Sequence, residues 1–170
     1  MYLRQKGRGQ NAWPKSMLKI CEMTEKEVQE IAAIEAENFS KPWSKKGFLD
    51  AVRDEHALYL TAWEEETPVG YAGMWIALDE GEITNVSVKK DRQGRKIGTA
   101  LLIALEEAGQ KRGVDSFFLE VRKSNEKAIA LYEKTGFVRM GIRKNFYEDP
   151  KEDGIEIGRA SCRERVSSPV

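Results

Sequence analysis

The stretch Glu82-Ile83-Thr84-Asn85-Val86-Ser87-Val88-Lys89-Lys90-Asp91-Arg92-Gln93-Gly94-Arg95-Lys96-Ile97-Gly98-Thr99-Ala100-Leu101-Leu102 changes character half-way. Glu82–Val88 reads as a strand. From Ile97 to Arg112 the spacing is helical, with Ala100, Leu101, Ala104, Leu105 and Ala108 on one face and Glu106, Lys111 and Arg112 elsewhere. The loop between them holds Gly94 and the cations Arg92, Arg95 and Lys96. A glycine-containing loop feeding a helix N-terminus presents unpaired N–H groups and the positive end of the helix dipole, which together suit phosphate oxygens. Many helices also begin after a basic loop for no such reason, so spacing alone leaves both readings open. Neither G-x-x-x-x-G-K-[ST] nor G-x-G-x-x-G is present, which excludes the usual nucleotide loops.

Upstream, three strand-like runs, Ala57–Trp63, Val69–Leu78 and Glu82–Val88, are separated by Glu65-Thr67-Pro68 and Asp79-Glu80-Gly81, the expected turns of an antiparallel meander. Before them Leu18–Met23 alternates as a strand. Thr24-Glu25-Lys26-Glu27 forms a capping box for a helix reaching Phe39, with Val28, Ile31, Ala32, Ile34 and Ala36 at roughly helical spacing. Pro42 stops that helix and Ser44 caps the next, through Phe48, Leu49 and Val52. Downstream, Gly113 closes the long helix, Ser116–Val121 is a buried strand and Asn125–Thr135 a short helix ended by Gly136. Phe137–Arg143 is a further strand, and the last begins near Gly154. The whole reads as one mixed α/β domain over residues 17–155, with no internal repeat.

The 170 residues are 41% apolar and 33% charged, enough for one core under a charged surface. Two cysteines, Cys21 and Cys162, make no disulfide framework, and the single His56 makes no metal cluster, so no metal is expected. No apolar run nears the roughly 20 residues of a membrane span, and the N-terminus lacks an apolar signal core; the expectation is a cytoplasmic protein with no membrane partner. Residues 1–16 carry four cations and no acid, and residues 156–170 three cations and two acids. Of the 28 basic and 28 acidic side chains, 21 and 26 therefore lie in 17–155, a net of −5. An acidic body argues against direct nucleic-acid binding and suits a cationic partner, or simply aids solubility. Residues 1–16 are polar and aperiodic, an expected disordered extension. Residues 156–166, EIGRASCRERV, back-translate to a string like a sequencing-library adapter. The segment 156–170 is thus expected to be a non-native read-through tail.

Two further side chains draw notice. Glu120 sits in the apolar strand Phe117-Phe118-Leu119-Glu120-Val121. It is either the outward residue of the alternation, sharing a face with Phe118, or a carboxylate whose pKa is raised enough to act as a base. Tyr132 shares a helix face with Ala128 and Leu131, as a core tyrosine would.

Together these segments resemble the GNAT superfamily of acetyl-CoA-dependent N-acetyltransferases. Its pyrophosphate loop, [RQ]-x-x-G-x-[GA], is matched by Gln93-Gly94-Arg95-Lys96-Ile97-Gly98, with Lys96 in place of the first glycine; a side chain there needs a backbone angle that a non-glycine residue can adopt. Within the superfamily the chain is most similar to the RimI-type ribosomal-protein alanine N-acetyltransferases. The matching segments are Phe39–Ser44, Leu119–Arg122 with Ser124-Asn125, Ala128–Glu133 with Gly136-Phe137, and Gly141–Tyr147 with Pro150 and Glu152-Asp153.

The resemblance implies a central mixed, mostly antiparallel sheet flanked by helices, in which the strand carrying Val88 splits from that carrying Glu120. It implies Glu120 as general base and Tyr132 as general acid. Acetyl-CoA contacts are implied at Val86, Ser87, Val88, Gln93, Gly94, Arg95, Lys96, Ile97, Gly98, Thr99 and Asn125. The implied acceptor is the basic N-terminus of a ribosomal protein, the alanine of protein eighteen of the small subunit, acetylated directly without a covalent enzyme intermediate. Cys21 is then a core residue. The alternatives are a lysine or small-amine acetyltransferase, and a catalytically silent CoA-binding module.

Overall fold

The computed structural model describes residues 17–160; the expected extension 1–16 and residues 161–170 of the expected tail lie outside the described residues. The elements run β1 (Leu18–Glu22), α1 (Val28–Asn38), α2 (Lys45–Arg53), β2 (Ala57–Glu64), β3 (Thr67–Ala77), β4 (Glu80–Val88), α3 (Ile97–Lys111), β5 (Ser116–Arg122), α4 (Glu126–Lys134), β6 (Val138–Glu148) and β7 (Lys151–Ala160). Among the described residues seven strands form one sheet in the order β1-β2-β3-β4-β5-β7-β6. All neighbours are antiparallel except β4 and β5, which α3 joins as a crossover. This is the mixed, mostly antiparallel sheet expected.

Local chemistry sets the helix starts. Thr24 and Glu27 make the reciprocal capping box, the Thr24 N–H donating to Glu27 Oε1 at 2.7 Å, and the chain enters α1 through a short 3-10 turn. Ser44 Oγ accepts from the Gly47 N–H at 3.1 Å and starts α2. Helices α1 and α2 cover one face of the sheet around Phe48, Tyr59 and Tyr71. Helices α3 and α4 cover the other around Leu101, Leu105, Phe117 and Ile157.

Pairing corrects several expectations. The tight turns are Glu65-Glu66 and Leu78-Asp79, and Pro68 lies inside β3 opposite Trp63. Proline is tolerated there because β4 does not join β3 until Gly70, so Pro68 has a neighbour on one side only. The β6 strand runs on to Glu148. The β7 strand continues to Ala160, five residues beyond the expected boundary, with Glu156, Ile157 and Gly158 opposite Glu120, Leu119 and Phe118. Cys21 is half-buried in β1, opposite Thr61.

A further correction concerns α3. Its buried face is Ile97, Leu101, Leu102, Leu105, Glu106 and Gly109, so Glu106 points into the protein. Its side chain is 7% exposed, 3.3 Å from Arg159 Nη1 of β7, and Oε1 is buried without a partner. Burial pushes this carboxyl up to about 7 despite the opposing pull of Arg159. Between pH 4.5 and 7 the folded state then binds more protons here than the unfolded chain, so this group's contribution to stability falls as pH rises through that window. Glu106→Gln removes it. In urea titrations, wild type is expected to lose about 3 kcal/mol more than Glu106→Gln between pH 4.5 and pH 8. Parallel losses would show that Glu106 does not titrate in this way.

One glycine is tied directly to the site. The Tyr59 ring lies flat across Gly73 of β3, where a Cβ would come within 2.2 Å of the ring. The Tyr59 hydroxyl is thereby brought 3.0 Å from Thr84 Oγ1. Thr84 is the extra residue of a bulge, since Gly73 faces Asn85 and Met74 faces Ile83. A bulge bends its strand and can end pairing on the far side. The β4–β5 ladder indeed stops at Glu82 and Phe118, just short of it.

Candidate active site

Past Glu82 and Phe118 the two parallel strands separate. The gap opens into a cleft of about 950 Å³, walled by Thr84–Val88 of β4, Leu119–Arg122 of β5, the N-terminal end of α3 and one side of α4 along its length. Small-molecule sites commonly span about 300–1,000 Å³, which puts this cleft near the upper end. Here β4 is paired on its β3 side alone, so the other edge of Val86–Val88 faces the gap.

The loop from β4 to α3 is tied down from beneath. The Val88 carbonyl accepts from Asn38 Nδ2 at 2.8 Å and from Gln93 Nε2 at 3.1 Å, and Ser87 Oγ accepts from Asn38 Nδ2 at 2.7 Å. Gln93 therefore braces the loop with its side chain. Arg92 is held by Glu64 at 2.9 Å and Asp91 at 3.1 Å. Gly94 and Lys96 both have positive φ, +80° and +64°. The α3 helix has no side-chain cap. Its first closed intrahelical bond is Ala100 N–H to the Lys96 carbonyl at 3.1 Å, leaving the N–H groups of Ile97, Gly98 and Thr99 free at the cleft.

Lys96 thus holds the left-handed conformation that glycine adopts without cost. Lys96→Gly is expected to stabilise the fold by about 1 kcal/mol, raising Tm by about 2–4 °C in a calorimetric scan. A Tm that falls would show that the lysine side chain contributes more than the strain it carries.

Glu120 reaches the cleft wall from β5 with its side chain 16% exposed. Burial, the carboxylates of Glu156 and Glu82, and the opposing Arg143 together leave its pKa raised, burial being the largest cause. Tyr132 lines the same cleft from α4, 4% exposed, its ring edge-on to Phe137 at 5.5 Å. Burial raises its pKa, so the phenol stays protonated. Asn125 caps α4 through Oδ1, which accepts from the Ala128 N–H at 3.2 Å.

All the sequence-predicted site residues except Arg95 line this one cleft. Its electrostatics were not legible from net charge. Among the described residues six cations line it (Lys90, Arg92, Lys96, Arg122, Lys127 and Lys134) against the single carboxylate of Glu120. Asn38, Thr84, Asn85 and Tyr147 are also in the wall. Of these four, Tyr147 alone lies in a segment that carries the resemblance, and no local signal marks the others as site residues.

The GNAT acetyltransferase family model matches residues 26–137. The chain belongs to the GNAT acetyltransferase family. It is an acetyl-CoA-dependent N-acetyltransferase. Among GNAT relatives it is 39% identical to the [ribosomal protein bS18]-alanine N-acetyltransferase of Escherichia coli K12, over 72% of this chain and 83% of that protein. It is 33% identical to the N-alpha-acetyltransferase RimI of Mycobacterium tuberculosis, over 82% of this chain and 90% of that one. The crystal structure of the ribosomal-protein-S18-alanine N-acetyltransferase from Escherichia coli superposes with a TM-score of 0.77 at 34% identity. That match covers 85% of this chain and 94% of the other.

Proposed function

We propose that this protein transfers the acetyl group of acetyl-CoA to the α-amine of the N-terminal alanine of ribosomal protein S18, with Glu120 as general base and Tyr132 as general acid. The observation that carries this reading is the split between β4 and β5, with Glu120 the one carboxylate among the described residues of its wall and a cationic, amide-rich end at α3. The names and extent of the relatives support the acceptor.

The cleft suits a polyphosphorylated thioester. The free N–H groups of Ile97, Gly98 and Thr99 and the ammonium of Lys96 would hold phosphate oxygens, and the unpaired edge of Val86–Val88 would align the pantetheine amides. Asn125 would contact the same ligand with its remaining amide N–H groups. When bound, acetyl-CoA supplies an acyl carbon activated by a thiolate leaving group. Backbone N–H groups near Val88 would donate to the thioester oxygen as charge builds there. Glu120 takes a proton from the acceptor ammonium, directly or through a water, and Tyr132 gives its phenolic proton to the departing sulfur. A peptide α-amine, with a pKa of about 8 against about 10.4 for lysine, asks only modest work of a carboxylate base. Holding both reactants in one cleft makes the attack effectively intramolecular. Beside Glu120, the carboxylates of Glu82 and Glu156 suit an acceptor that arrives as a cation.

The test is release of free CoA thiol on mixing enzyme, acetyl-CoA and a peptide beginning Ala-Arg-Tyr-Phe-Arg. Saturable release is expected, falling to background when the peptide's α-amine is blocked. Equal release from the blocked peptide carrying an added lysine would favour a side-chain acetyltransferase. Acetyl-CoA binding without any release would favour the silent module.

A further inference from the structure

Arg143, in β6, lies outside the cleft wall, yet its Nη1 is 2.9 Å from Glu120 Oε1 and its Nε 4.0 Å from Glu156 Oε2. Its guanidinium also sits 5.6 Å above the Phe146 ring. Among the described residues it is the cation that reaches Glu120. The other arginine nearby, Arg122, is committed elsewhere. It stacks on Tyr147 at 4.3 Å and donates to the carbonyls of Pro150 and Asp149 at 2.9 and 3.1 Å.

We propose that Arg143 is a positioning residue for acetyl transfer: it keeps Glu120 ionised in the resting enzyme and yields the same carboxylate oxygen to the acceptor's amine. The groups that face Glu120 are Glu82 from β4, Glu156 from β7, and Arg143 and Tyr147 from β6. Two of these are carboxylates, and all but 16% of the Glu120 side chain is withdrawn from water. Without a counter-ion those conditions favour the protonated form, which cannot accept a proton. The Arg143 side chain is 54% exposed. It can therefore swing into solvent when an ammonium takes its place, where a buried arginine would have to break a packed contact. In the transfer step one ammonium proton of the acceptor passes to the freed Glu120 oxygen and the nitrogen lone pair attacks the acyl carbon; the C–S bond then breaks, the thiolate leaves with the Tyr132 proton, and the second nitrogen proton is lost to solvent as the amide forms. This inference rests on Glu120 being the base.

The test is the ratio of kcat/KM at pH 8 to that at pH 6, measured with the Ala-Arg-Tyr-Phe-Arg peptide for wild type, Glu120→Gln, Arg143→Gln, Arg143→Met and Arg143→Lys. Titration of the acceptor is common to all and cancels in the comparison. Loss of the counter-ion is expected to raise the ratio about tenfold in Arg143→Gln and Arg143→Met, while Arg143→Lys stays near wild type. The peptide KM at pH 8 is expected to fall in both uncharged variants, because the competitor for the carboxylate is gone. A ratio unchanged in both uncharged variants, or raised as far by lysine as by glutamine, overturns the proposal. If Glu120→Gln keeps the wild-type activity and pH ratio, the assignment of the base fails and this inference falls with it. If Glu120→Gln loses activity while the uncharged Arg143 variants keep the wild-type ratio, only the role of Arg143 fails.

Discussion

Glu120→Gln lowers kcat for the Ala-Arg-Tyr-Phe-Arg peptide by about 10²-fold or more, and leaves the dissociation constant for acetyl-CoA close to wild type. The two halves of that expectation come from different parts of the cleft. Glutamine keeps the volume and one acceptor oxygen of the glutamate in β5, so the pairing of Glu120 with Glu156 and the packing of Leu119 and Val121 are undisturbed. It removes the ability to take up a proton, together with the charge that pairs with Arg143 at 2.9 Å. The groups assigned to the CoA phosphates stand on the α3 side of the gap, on a separate element from β5. Steady-state kinetics over pH 6–9, with CoA binding followed by calorimetry, checks both. A kcat within about threefold of wild type would remove Glu120 from the chemistry.

Tyr132→Phe is expected to cost about 10²-fold in kcat while leaving the protein folded. Phenylalanine retains the ring that packs on Phe137 and fills the same core position, so a loss of rate cannot be assigned to unfolding if the thermal transition is unmoved. What disappears is the proton for the departing thiolate. An acyl donor whose thiol is more acidic needs that proton less, so the variant should recover part of its rate with such a donor. Burial holds the Tyr132 phenol above its usual range, and no fall in wild-type kcat from its ionisation is expected below pH 10. Equal losses with acidic and ordinary leaving thiols would argue for a packing role.

The elements whose signals are local are legible in the sequence. The capping box of Thr24 and Glu27, the Ser44 cap, the alternation that places Glu120 and Phe118 on one face of β5, and the loop into α3 all depend on neighbours within a few positions. Features that depend on pairing were not visible. The Thr84 bulge exists because of what lies opposite it on β3, and the turns shifted because strands extend until a partner runs out. Buried acids were also hidden. A helical face assigns a glutamate to solvent unless a distant group receives it, as Arg159 of β7 receives Glu106 and the Tyr71 hydroxyl donates to Glu35. Within the site, Arg143 and Tyr147 come from a strand more than 20 residues beyond Glu120. They reach its neighbourhood through the β6–β7 hairpin, which has no signature near Glu120 itself. Net charge misled in the same way, since an acidic body conceals a cleft lined by cations.

The most direct measurement is the position of the added acetyl group on a single peptide that begins Ala-Arg-Tyr-Phe-Arg and carries one lysine further along. After incubation with the enzyme and acetyl-CoA, fragmentation in the mass spectrometer reports the two amines separately. The account predicts the acetyl on the alanine α-amine and an unmodified lysine. Acetyl on the lysine with a free α-amine would contradict it.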